Sequence, residues 1–135
     1  CDLRLCAPTA RFAQTEILLG ITQIMFPLYH SIGLTRAKEL AFTGEAISAD
    51  EAHRIGFINH IYAAENLLNE ALKLAEKLAA SPRQTLFATK RLSRELLEAD
   101  TATAFGKMFA TISERLQAEE HKQKVVEYVE NLKKK

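Results

Sequence analysis

Glu16 is the residue of this chain best suited to proton chemistry. It stands in Arg11-Phe12-Ala13-Gln14-Thr15-Glu16-Ile17-Leu18-Leu19-Gly20, between a stretch that reads as a strand and an apolar run closed by glycine. A carboxyl in that setting faces a semi-buried pocket. Desolvation there raises its pKa toward the range in which it can give and take a proton near neutral pH. The competing reading is a surface carboxylate beside a turn, a common place for glutamate. Tyr29 and His30 either line a pocket or pack on a helix face, and Lys90 and Arg91 lie on a basic helix face suited to solvent as well as to a ligand. The histidines His30, His53, His60 and His121 share no ligand spacing, and Cys1 and Cys6 form no zinc pattern, so no metal site is expected.

The elements that must position Glu16 are short. Leu3 and Leu5 alternate with Asp2 and Arg4, which predicts a strand over 3–6; a second is expected over 11–13, after a turn at Ala7-Pro8-Thr9. An unpaired strand leaves its N–H and C=O groups without partners. Little after residue 62 reads as strand, so the partners are expected upstream of Cys1, and the chain is expected to be the C-terminal part of a larger domain. A helix is predicted from about Pro27 to Ile32 with Gly33 as its stop, then another capped by Thr35 and running through Phe42, before Thr43-Gly44 turns the chain. Ser48-Ala49-Asp50-Glu51 is a capping box, opening a helix that ends at Gly56. Residues 57–62 alternate as a strand. The amphipathic stretch 67–80 begins a set of four helices. Ser81, Pro82 and Gln84 make a second capping box, Asp100 caps a helix running to about Glu119, and the last spans about 121–132.

Of the 135 residues, 47% are hydrophobic and 26% charged, as in a globular protein, and the formal net charge of +1 gives no general drive toward nucleic acid or an anionic membrane. No apolar run is long enough to span a bilayer. Two cysteines without a disulfide framework point to a reducing compartment, and a cytoplasmic location is expected.

Arg11 to Gly20 resembles the (A/R)F(A/G)QPE(I/V)xLG segment of the crotonase family, the enoyl-CoA hydratases and isomerases. Cys1-Asp2-Leu3 resembles the CD(I/L) strand before it. Leu40 to Ala52, followed by Gly56-Phe57-Ile58-Asn59, resembles the (L)xLTGxxxxAxEAxxxGL(V/I)N signature, the more specific match. The similarity covers nearly the whole chain, the terminal helices by pattern only.

The resemblance implies an α/β fold: residues 1–62 as the C-terminal part of a crotonase ββα spiral, and residues 63–135 as a helical region that packs subunits into a homotrimer or a dimer of trimers. It implies an acyl-CoA substrate, with coenzyme A entering as part of the substrate and no separate cofactor. Two backbone N–H groups would hold the thioester oxygen as enolate-like charge develops. Glu16 falls at the family's second acidic position, the acid/base on the acyl chain. By their apolar composition Ile21, Met25 and Phe26 are expected to wall the acyl pocket near Glu16, with core packing the alternative for Met25 and Phe26; Tyr128 falls where many relatives carry an aromatic residue near the adenine, or else packs on the apolar face of its own helix.

Three departures qualify the match. The family's oxyanion-hole amides and its other glutamate lie upstream of the CD strand, and so outside this chain. Thr15 replaces a proline, loosening φ there. The stretch from Ile21 to Tyr29 is apolar and glycine-free where hydratases carry a Gly-rich segment, so the backbone approaches a substrate or water less closely. Double-bond isomerisation, or no chemistry at all, is therefore expected over efficient hydration. The alternative to an enzyme is a non-catalytic relative whose helices serve as an oligomerisation module.

Overall fold

A computed structural model describes residues 1–22, 28–97 and 99–133. Strands β1 (Leu5–Cys6) and β2 (Arg11–Phe12) come first, then a single 3-10 turn, Glu16–Leu19. After it come α1 (Leu28–Ile32), α2 (Leu34–Thr43), β3 (Ile47–Ser48), α3 (Ala49–Arg54), β4 (His60–Ile61), α4 (Ala64–Ala79), α5 (Arg83–Glu95), α6 (Thr101–Gln117) and α7 (Glu119–Lys133). Among the described residues no helix is long and apolar enough to cross a membrane. The chain divides into two compact units, Cys1–Ala75 and Glu76–Lys135, with the division inside α4.

In the first unit the strands pair with one another, each along one edge, and the upstream partners expected from the sequence concern the other edges. β1 pairs in parallel with β4, Leu5 opposite His60 and Cys6 opposite Ile61. β2 pairs antiparallel with β3, Arg11 opposite Ser48 and Phe12 opposite Ile47. The parallel pair is extended at one end by a reciprocal clasp: the Arg4 amide donates to the Asn59 side chain at 2.7 Å, and the Asn59 amide to the Arg4 carbonyl at 2.8 Å. Both two-stranded sheets lean on α3. Its Ala49 and Ala52, three apart and so on one face, are fully buried with Cys6 and Ile58, and Phe12, Ile47 and Phe57 pack around them. Small side chains on that face let the strands approach closely. Phe12 meets Phe57 edge to face at 5.3 Å, and the Arg4 guanidinium lies 4.5 Å over the Phe57 ring.

Capping explains where several helices start, and two of the expected caps differ. Ser48 accepts from the Glu51 amide at 3.2 Å as the box requires. The Glu51 carboxylate turns instead to Arg54, which donates two hydrogen bonds at 2.6 Å. A charged, two-pronged partner outcompetes a backbone amide for that carboxylate, whose pKa is held below the usual value, chiefly by those hydrogen bonds. Thr35 is not the N-cap: α2 begins at Leu34, with Gly33 at the N-cap, two residues before the expected position. The expected helix start at Pro27 lies outside the described residues.

In the second unit Ser81 does not cap α5 either, and its hydroxyl donates back to the Lys77 carbonyl at 3.1 Å. The cap comes from Glu120 on α7, which accepts from the Gln84 and Thr85 amides at 3.4 and 3.3 Å and from the Thr85 hydroxyl at 3.1 Å. A carboxylate at a helix N-terminus also gains from the helix dipole. Asp100 caps α6 as expected, accepting from the Thr103 amide at 3.0 Å.

Candidate functional site

The Glu16 turn is built from local signals. β2 ends at Phe12, and Thr15 then takes φ −94° and ψ 1°, outside the range a proline ring permits, so the freedom conferred by threonine at this position is used. The Leu18 amide donates to the Thr15 carbonyl at 3.0 Å. The Gly20 amide donates to the Ile17 carbonyl, and the Ile21 amide to the Glu16 carbonyl, both at 3.0 Å. Gly20 closes the turn at φ 69°, a conformation that a side chain disfavours. Glu16 is thereby held at the head of the turn, half-buried, and among the described residues its carboxyl makes no hydrogen bond or ion pair. A fixed backbone with an uncommitted carboxyl suits proton transfer to an incoming group.

The second motif packs against the first. α2 ends at Thr43, whose hydroxyl donates to the Glu39 carbonyl at 2.8 Å and accepts from the Glu45 amide at 3.2 Å. Gly44 follows at φ 66°, its amide donating to the Leu40 carbonyl at 3.1 Å. It lies directly against Ile17 and Leu18 of the Glu16 turn. The sequence reading missed this contact. The only signal was a glycine inside the longer motif, with nothing to say what it faced.

A cavity of about 290 Å³ lies wholly within the second unit, between α5, α6 and α7. A separate one of about 270 Å³ opens beside β2, lined by Phe12, Gln14, Leu28, Leu40, Ile47 and Phe57. Glu16 does not line it. The Gln14 side-chain oxygen Oε1 is buried and has no hydrogen-bond partner among the described residues. Ile21 follows the turn with 54% of its surface exposed. Met25 and Phe26, the other expected wall residues, lie outside the described residues. Tyr128 belongs to the second unit and is 65% exposed on α7. The Tyr29 and His30 rings sit 4.0 Å apart on α1, and Arg91 pairs with Glu95 at 3.8 Å. Burial pushes the Cys6 thiol up, with Asp50 adding to the shift, which makes it a poor nucleophile near neutral pH. Among the described residues no three His, Cys, Asp or Glu side chains gather as metal ligands.

The paired motifs and the surrounding fold agree with what is known of other proteins. The enoyl-CoA hydratase/isomerase family model matches residues 1–135, and this chain belongs to that family. The particular resemblances are consistent with this. A short-chain-enoyl-CoA hydratase of Clostridium acetobutylicum is 31% identical over 136 residues, covering 98% of this chain and 52% of that protein. The crystal structure of an enoyl-CoA hydratase of Mycobacterium smegmatis superposes with a TM-score of 0.90 at 28% identity, over 97% of this chain and 52% of that one. A putative enoyl-CoA hydratase of Thermobifida fusca, in complex with CoA, gives 0.78 at 29% identity, over 86% of this chain and 46% of that one. The fold is therefore that of the crotonases, and the chain spans about half the length of the relatives it matches.

Proposed function

We propose that this chain forms the C-terminal part of an acyl-CoA hydratase or isomerase in which Glu16 exchanges a proton with the acyl chain. The observation that carries this reading is the packing of the two motif segments on each other, which holds the half-buried Glu16 on a backbone fixed by three hydrogen bonds. The complementary part, the backbone donors that stabilise the thioester oxygen, would come from polypeptide outside these residues. Acid/base work on an activated thioester needs no further cofactor, and coenzyme A arrives with the substrate. The CoA-bound relative supports that ligand class. Ile21, Met25 and Phe26 would close the apolar side of the acyl site, and Tyr128 would contact the adenine. The helices from residue 63 onward would assemble subunits into a trimer or a dimer of trimers. Their exposed apolar side chains, Leu72, Phe87, Phe109 and Val126 among them, support that role. The glycine-free stretch after Gly20 favours double-bond migration over hydration.

The test is turnover of paired 2-enoyl and 3-enoyl thioesters by the complete polypeptide, alongside the 135-residue chain alone. Migration by the complete protein and none by the isolated chain is expected, because losing even one oxyanion donor typically costs ~10²–10³ in rate. Rapid hydration would overturn the preference for migration. No turnover of either thioester would leave the assembly role as the better reading.

A further inference from the structure

We propose that Gly44 is a positioning residue for the Glu16 carboxyl, its missing side chain being the space into which the Glu16 turn seats; this rests on the acid/base reading of Glu16 above. A Cβ built at Gly44 would lie 3.0 Å from Leu18 Cγ, 3.2 Å from Leu18 Cδ2 and 3.2 Å from Ile17 Cγ2. Two adjacent residues of one turn therefore meet the same point. Leu18, 68% exposed, can rotate away. Ile17 cannot do so as readily, because its Cγ2 hangs directly from a branched Cβ with a restricted χ1. The turn is tied internally by the Leu18-to-Thr15, Gly20-to-Ile17 and Ile21-to-Glu16 backbone bonds, so relief of the contact shifts it as a unit. Glu16 is its first residue and moves with it. α2 supplies the fixed surface, since Gly44 is held at its end by the bond to the Leu40 carbonyl, two of whose neighbours, Ala37 and Ala41, are buried.

Gly44 also has φ +66°, so a substitution there has two effects that must be separated. Asparagine tolerates that backbone region better than alanine does, yet carries the same Cβ. The experiment uses the complete polypeptide and compares wild type, Gly44→Asn, Gly44→Ala, Gly44→Ala with Leu18→Ala, and Glu16→Gln, reading kcat, KM and thermal midpoint on the same enoyl thioester. Both Gly44 variants are expected to lose kcat by about tenfold or more with KM little changed, since a displacement of about 1 Å at a catalytic group costs up to ~10²-fold. The added Leu18→Ala should recover little of the loss, because the Ile17 Cγ2 contact remains, and full recovery would overturn the proposal. A lowered midpoint with kcat unchanged in Gly44→Asn would overturn the proposal and leave Gly44 a structural residue. Activity retained by Glu16→Gln would overturn instead the reading on which it rests.

Discussion

The two units differ in what they bury. The buried side chains among the described residues, Cys6, Ala37, Ala41, Ala49, Ala52 and Ile58, all belong to the first unit. All but Ile58 are small, and they let strands, helices and the Glu16 turn come into close contact. Among the described residues the second unit buries no side chain to that degree: Phe87, Phe105, Phe109, Leu116, Val126 and Leu132 each keep 53% or more of their surface exposed, as Leu18, Leu19, Phe42 and Leu68 do in the first unit. A phenylalanine left in water stabilises a fold little, and clustered exposed apolar side chains commonly mark contact surfaces. Among the described residues, small-residue packing belongs to the first region, and the second has none of it.

That contrast can be broken by substitution. Ala52→Leu in the fully buried face of α3 should destabilise the first unit by about 1–3 kcal/mol, because a close-packed site has no room for three more carbons. Chemical denaturation measures it, and an unchanged midpoint would mean that the small-residue core is slack. Ser48→Ala should cost about 1 kcal/mol by removing the cap on α3, measured in the same way. Phe109→Ala, at a residue 65% exposed, should change the stability of an isolated subunit by less than about 0.5 kcal/mol. It should nevertheless shift the assembly toward smaller species in light scattering, and an unchanged assembly would remove that face from the interface. The smallest effect is a pH dependence at α6. Asp100 is held below its ordinary value of 3.8, first by the Thr103 hydroxyl and then by the Thr103 amide. A depressed carboxylate pKa contributes stability that is present above the unfolded value and lost as pH falls through the folded one. Helicity of α6 should therefore hold at neutral pH and decline only under acid, and Asp100→Asn should flatten that decline.

The same contrast governs how much of the molecule could be read from its residues. The Ser48 and Asp100 caps were legible, because donor and acceptor lie three residues apart in the sequence. The Ser81 cap was not, because the first turn of α5 is served by Glu120, 35 residues from Thr85. Local chemistry alone cannot see such a competitor. Strand existence was visible in the alternation of residues 3–6, but the partner of β1 lies across a separation of 55 residues from Arg4 to Asn59. Glu16 was legible as a candidate from its motif and its neighbours. The support that Gly44 gives it was not, since a glycine's role in packing depends on what faces the absent side chain.

The most direct measurement is a side-by-side titration of acyl-CoA affinity and turnover for the complete protein and its Glu16→Gln variant. The amide keeps the size and shape of the carboxyl and cannot exchange the proton. Affinity should stay within a few-fold while kcat falls by ~10²–10⁴, the usual contribution of a positioned acid/base. A variant that keeps most of its kcat would contradict the account and return Glu16 to an ordinary residue at the head of a turn.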